Sequence, residues 1–244
     1  RLAEEQELTE AQIQAVGLVF EHLQRKKVET TLHTLLKMSR LPLKDPKTFD
    51  NFDFSVIKGR DASRLKSLPS LSAIYAHRNL AFIGPAGTGK THLAQAFGYE
   101  CCQRGIKTYF IKMTELRDKF TAARRAGKEA SVLNGLVRPS CLIIDEVGHC
   151  EFDKENTRLF FDLIDRRYNK EGNFNIVFTR NKHPSHWRSN FNEDDSLLCA
   201  LDRIFDDAMV FNIKGESFRG KKLETIALQT SRVKTLDSSE TPTP

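Results

Sequence analysis

Eight residues, GPAGTGKT from Gly84 to Thr91, restrict the fold of this 244-residue chain more tightly than anything else in it. They follow an apolar run, NLAFI at 79–83, and open a stretch of helical character, so they read as a strand, a glycine turn and a helix in succession. Gly84, Gly87 and Gly89 permit the tight turns that let successive backbone N–H groups face phosphate oxygens, and the helix start adds its positive end. Lys90 supplies a point charge for β- and γ-phosphates. Thr91 offers a hydroxyl to Mg²⁺, an ion that keeps most of its water and takes few protein ligands. Pro85, Ala86, Thr88 and His92 complete the candidate ATP-binding stretch. The competing reading, a glycine turn with an incidental lysine, is disfavoured by the strand before it and the helix after it.

Four further apolar runs share the pattern: TYFI (108–111), CLII (141–144), NIVFT (175–179) and MVFNI (209–213). Five such runs separated by helix-length intervals predict βα units and an α/β fold, a five-stranded, mostly parallel sheet covered on both faces. A chain of this length holds one main domain plus a small appendage, since domains usually run to about 100–200 residues. Ahead of the core, Thr9 and Gln12 form a capping-box pattern, and Val16, Val19, Phe20 and Leu23 recur at helical spacing. The spacing predicts a helix from about 9 to 39, with one break allowed. Pro42 and Pro46 then bracket a linker. The expected organisation is therefore an N-terminal helical segment and linker at 1–44, a core domain at 45–220 and a disordered tail at 221–244, which ends in SSETPTP. Phe49, Phe52 and Phe54 in KTFDNFDFS read as an aromatic latch seating the linker on the core, in preference to direct contact with a bound base.

The second half of the site is CLIIDE, in which an apolar strand delivers Asp145 and Glu146 at its carboxyl end. Asp145 is expected to hold the magnesium ion through water, and Glu146 to orient and deprotonate the water that attacks the γ-phosphate. On the strand NIVFT, Asn181 emerges where it could hydrogen-bond both the phosphate and that water. Arg203, in ALDRIFDDA, and Arg219, in GESFR, flank the last strand; by position alone they read as surface ion-pair partners of Asp202, Asp206 or Glu216.

Charge and cysteine usage narrow the class. The net charge is +6, and it is uneven: between Arg104 and Arg138 lie nine basic residues and three acidic ones. The stretch ELRDKFTAARRAGKE predicts a helix and a turn at Gly127 carrying Arg117, Lys119, Arg124, Arg125 and Lys128 as candidate DNA contacts, against the plainer reading of a solvated basic face. The five cysteines show no CxxC spacing, so reduced thiols and no metal centre are expected; His149 beside Cys150 lacks a second ligand pair. No apolar run approaches the roughly 20 residues of a membrane span. The opening RLAEEQELTE resembles neither a secretory signal nor a transit peptide, which points to a cytoplasmic protein. Because residue 1 is Arg, a fragment or trimmed chain is expected.

These motifs together resemble the IstB-like transposition helper ATPases, AAA+ proteins similar to the replicative helicase loader DnaC. The likeness runs from about Leu41 to Arg219. It is carried by KTFDNFDFS, GPAGTGKTHLAQAFGYECCQRG, LIIDEVG, LFFDLIDRRY (159–168), the TRN-x-x-P-x-x-W stretch ending at Trp187, and LDRIFDDAMVFNIKGESFR. The resemblance implies that Asn181 is the sensor residue and that Arg203 acts as an arginine finger on ATP bound by a neighbouring subunit, reversing the ion-pair reading. It also implies Arg219 beside the nucleotide, ATP-dependent ring or spiral homo-oligomers, duplex DNA bound with little sequence preference, and a partner transposase whose target choice the protein assists. A helicase loader of the DnaC type is the alternative with the same motor. A static ATP-binding scaffold is disfavoured by Glu146, and a small-molecule kinase by the Asp145–Glu146 pair.

Overall fold

The structure is a computed structural model that describes residues 8–59, 62–172, 174–181, 203–205, 208–215 and 217. Helix α1 spans Glu10–Ser39 without a break. Thr9 caps it: its hydroxyl accepts the Gln12 N–H at 3.4 Å, and the Gln12 side chain accepts the Thr9 N–H at 2.8 Å. The reciprocal pair satisfies two amides that a helix start leaves without intrahelical partners. Only the last turns dock. Leu35 and, just beyond the helix, Leu41 enter the core, whereas Val16, Val19, Phe20 and Leu23 stay exposed because α1 projects past the body of the domain. Arg40, in the left-handed conformation, ends the helix and ties it to Glu115 and to the Tyr109 hydroxyl.

Two short helices, α2 (Ala62–Lys66) and α3 (Ser72–Tyr75), lead into the sheet. Its strands are β1 (Leu80–Ile83), β2 (Thr108–Lys112), β3 (Cys141–Asp145), β4 (Asn175–Arg180) and β5 (Met209–Asn212), in the order β2-β3-β4-β1-β5. Every pairing is parallel, so the expected mostly parallel sheet is wholly parallel over the described residues. The larger helices are α4 (Lys90–Gln103), α5 (Met113–Ala126), α6 (Glu129–Val137) and α7 (Lys154–Tyr168). One face of the sheet packs Phe82, Val177 and Phe211 with Leu93 and Phe97 of α4. The other packs Ile83, Ile144 and Phe178 with Phe120, Leu136 and Phe160 of α5, α6 and α7. Burial on both faces is why β1, β3 and β4 read as continuous apolar runs instead of alternating ones, while β5, at the sheet edge, leaves Val210 exposed. All carboxyl ends of the strands meet at one edge, where open parallel sheets bind ligands.

The opposite edge is fastened by Arg167. Its two terminal nitrogens donate to the carbonyls of Leu136, Val137, Pro139, Ser140 and Asn175 at 2.8–3.3 Å, joining the end of α6, the entry to β3 and the start of β4. Burial brings its pKa down to about 10, which still leaves it charged at neutral pH. Replacing Arg167 by Met keeps the volume and takes a donor from all five carbonyls, of which Ser140 keeps the Asn175 N–H and Val137 the Lys170 ammonium, while those of Leu136, Pro139 and Asn175 lose their side-chain donor. We expect a loss of about 3 kcal/mol or more, since unpaired buried groups cost about 1–3 kcal/mol each and part of that is recovered by water. Urea unfolding measures it; a loss below about 1 kcal/mol would mean that these carbonyls are satisfied in another way.

Candidate nucleotide-binding site

The loop between β1 and α4 is built around glycines at which any side chain would be strained, Gly84 and Gly89 among them. Gly84 has φ +152°, and a Cβ there would lie 2.1 Å from the Ile213 carbonyl oxygen; Gly89 has φ +88°, and its Cβ would meet the Phe52 ring at 2.8 Å. Both positions combine a backbone that L side chains rarely adopt with a neighbour that fills the space. The Thr88 hydroxyl donates to the Pro85 carbonyl at 2.9 Å, and the Lys90 ammonium donates to the same oxygen at 2.6 Å, so the lysine head lies over the cradle of amides. Beside it opens a cavity of about 770 Å³ lined by Phe52, Gly87, Lys90, Thr91, Glu146 and Asn181. That volume is within the range of small-molecule sites.

The linker forms one wall. His92 Nε2 sits 2.9 Å from the Thr48 carbonyl, and its ring meets Phe52 edge-on at 5.2 Å. Burial lowers the His92 pKa, so the neutral ring holds the linker at neutral pH. Phe52 in turn meets Phe54 at 4.9 Å, and Phe54 stacks on Phe49 at 6.3 Å. The three phenylalanines form the aromatic latch, with Phe52 seated on the glycine turn.

The β3 end supplies the acids. Asp145 is buried, and its Oδ1 accepts from the Thr91 hydroxyl at 2.9 Å and from the Thr179 hydroxyl at 2.5 Å. Burial raises its pKa, and the two hydroxyl donors oppose that rise. Glu146 follows with φ +59°, an uncommon conformation for a residue with a side chain, and its N–H donates to the Thr179 hydroxyl at 2.9 Å. A hydroxyl and a carboxylate converging from Thr91 and Asp145 are hard oxygen donors of the kind Mg²⁺ takes beside substrate phosphates, so the residues fit that ion. When bound, it would neutralise charge on the β- and γ-phosphates.

The chain matches, over residues 1–225, the family described as IstB-like ATP binding protein. It belongs to that family. Among its IstB-like relatives, the ATP-binding protein of insertion sequence IS5376 from Geobacillus stearothermophilus is 38% identical over 194 residues, 80% of this chain and 75% of the relative. The corresponding protein of insertion sequence IS21 from Pseudomonas aeruginosa is 31% identical over 209 residues, 86% of this chain and 77% of the relative. Of solved structures, the DnaC helicase loader is similar with a TM-score of 0.54 at 19% identity, covering 67% of this chain and 97% of that one. AMPPCP-bound DnaA from Aquifex aeolicus gives a TM-score of 0.57 at 20% identity, over 70% of this chain and 51% of that one, so this chain spans about half of DnaA. The likeness identifies the fold as a P-loop AAA+ core.

Not every candidate residue of this IstB-like chain gathers at the cavity. Lys90, Thr91, His92, Glu146 and Asn181 line it together. Arg203 does not. Its guanidinium pairs with Asp165 and lies 5.8 Å and 5.7 Å from the ring centres of Phe161 and Tyr168, while the next residue, Ile204, accepts from Asn79 at 3.0 Å, just before β1. Four residues of β1 at about 3.3 Å each separate that edge from the glycine turn, so Arg203 is out of reach of a phosphate held by its own chain. Arg219 and Trp187 lie outside the described residues. The basic stretch forms α5 with Gly127 as its left-handed cap. Arg124 is spent within the fold, donating to Asp153 at 2.8 Å, Asn156 at 3.2 Å and Glu155 at 3.3 Å, and Arg117 pairs with Asp118 at 2.8 Å. Lys119, Arg125 and Lys128 have no ion pair among the described residues, and Arg125 and Lys128 are exposed.

Thr179 was not singled out by the sequence. The pairing Ile144↔Phe178 places it beside Asp145, and only the β3–β4 register discloses that neighbour. An available clue was its position two residues before Asn181, which follows β4 directly and lines the same cavity.

Proposed function

We propose that this chain hydrolyses ATP with Mg²⁺ and that the nucleotide cycle governs its assembly on duplex DNA, where it assists a partner transposase in target selection and DNA transposition. The observation that carries the catalytic part is the convergence of Glu146 and Asn181 on the cavity that holds Lys90 and Thr91. In this reading Lys90 and the loop amides bind the phosphates, Thr91 and Asp145 hold the ion, and Glu146 takes a proton from the attacking water. Asn181 aligns that water with the γ-phosphate, and Arg219 contributes from the segment after β5. Arg203 completes the site of a neighbouring subunit, so ATP-loaded chains form a ring or spiral. The names of relatives from IS5376 and IS21, both insertion sequences, support the transposition context. Residues 1–44 serve as an appended helical segment to the ATPase unit at 45–220.

The test is the ATPase rate with and without duplex DNA across a range of salt, beside a sizing measurement with and without ATP. DNA stimulation and an ATP-dependent rise in mass support the reading; a constant rate and a constant monomer mass overturn it. Capture of a replicative helicase in place of a transposase would change the partner and leave the motor intact.

For DNA binding, the basic groups of α5 and the turn after it that form no ion pair among the described residues matter most. Replacing Lys119, Arg125 and Lys128 together by Ala should weaken DNA binding at every sequence tested. It should also flatten the slope of log affinity against log salt by up to about 0.9 for each phosphate that the variant no longer neutralises. ATP binding should survive. Arg124→Ala, by contrast, removes the tie from α5 to the start of α7 and is expected to lower thermal stability along with any change in affinity. An unchanged salt slope in a folded, ATP-binding triple variant would remove α5 from the DNA path and direct attention to Arg25, Lys26 and Lys27, exposed on α1.

A further inference from the structure

Thr179 is 1% exposed at the end of β4, and its polar atoms are fully directed. Its hydroxyl accepts the Glu146 N–H at 2.9 Å and donates to Asp145 Oδ1 at 2.5 Å. Its carbonyl accepts the Val147 N–H at 2.9 Å. One residue thus holds two successive amides of the turn that leaves β3, together with the acid that precedes them. That turn departs from ordinary strand geometry at Glu146, whose φ of +59° is a conformation residues with side chains adopt only when their surroundings hold them there. Without the turn, the chain would continue along the strand and send the Glu146 side chain to the opposite side of the backbone.

We propose that Thr179 is a positioning residue for hydrolysis, its hydroxyl fixing the left-handed turn that aims the Glu146 carboxylate into the nucleotide cavity. This rests on the reading of Glu146 as the general base. A hydroxyl is needed because the position must accept from an amide and donate to a carboxylate at once, which neither valine nor alanine can do.

The experiment compares the full chain with Thr179→Val, Thr179→Ser and Glu146→Gln, and with Thr179→Val combined with Glu146→Gln. Three readouts are taken: turnover, the Mg²⁺ concentration for half-maximal rate, and affinity for a fluorescent ATP analogue. Thr179→Val is expected to bind the analogue within about threefold of the parent while kcat falls about 10- to 100-fold, the scale of a misplaced base. Thr179→Ser should recover most of that rate. In the combined variant Thr179→Val should add no further loss, because the base it positions is already gone. Parental kcat in Thr179→Val, full additivity in the combined variant, or a raised Mg²⁺ requirement with parental kcat at saturation would each overturn the proposal, the last by assigning Thr179 to Asp145 alone. If Thr179→Val does not fold by thermal melting, Thr179→Ala takes its place. Failure of the underlying reading looks different: Glu146→Gln itself would then turn over at the parental rate.

Discussion

Lys90→Ala is expected to abolish nucleotide binding, whereas Glu146→Gln keeps binding and stops turnover, so the two variants part company although both lose ATPase activity. Lys90 is a buried ammonium lying over the loop, at 2.6 Å from the Pro85 carbonyl, and it can turn its donors toward two phosphates. Hydrogen bonds to charged groups contribute about 1.5–3 kcal/mol each, so losing them costs about two orders of magnitude in affinity or more. As the proposed general base, Glu146 is expected to act on the attacking water and to add little to ground-state binding. Its removal should cost about 10²–10⁴ in rate, the usual worth of a positioned acid or base. Gln has the same shape and the same aversion to the left-handed backbone of Glu146, so the turn after β3 should persist. Titration with a fluorescent ATP analogue separates the two variants, and sedimentation with DNA should show Glu146→Gln accumulating in the assembled, DNA-bound form. Hydrolysis by Glu146→Gln at near the parental rate would show that the base has been misassigned.

Arg203→Ala should leave ATP binding by an isolated chain nearly intact and remove most hydrolysis by the assembly. An arginine supplied to the transferring phosphate from outside the site is worth about 10³–10⁵ in rate in systems that use one. The fold gives this a direction. Arg203 stands at the sheet edge where β1 begins, against Phe161, Asp165 and Tyr168 of α7, and the glycine turn stands at the edge where β1 ends. A guanidinium there can serve only a phosphate on another subunit. Mixing tests it. Chains carrying Arg203→Ala bring an intact Glu146, chains carrying Glu146→Gln bring an intact Arg203, and their mixture should contain sites with both. Recovery of activity above that of either variant alone is the expected result. No recovery, with mixed assembly shown by sizing, would confine Arg203 to its pairing with Asp165.

What the sequence determined by itself is the local chemistry. A strand, three glycines, a lysine and a threonine in fixed succession can fold in few ways, and the loop from Gly84 to Thr91 has the backbone those glycines require. The five apolar runs were legible as parallel strands, most plainly β1, β3 and β4, which are buried throughout, and Thr9 with Gln12 announced the start of α1, since capping is settled within four residues. The tertiary structure decided whatever depends on which strands are neighbours and which charges meet. Thr179 acquires its place beside Asp145 only through the β3–β4 register. The basic run of α5 reads as a uniform charged face in one dimension, yet Arg124 is drawn out of it by Asp153 and Glu155 at the start of α7. Val16, Phe20 and Leu23 have the spacing of a packed helix face and remain exposed. Periodicity determines that a helix has an apolar side, but whether anything covers that side depends on where the helix axis passes relative to the core, and no local interaction fixes that.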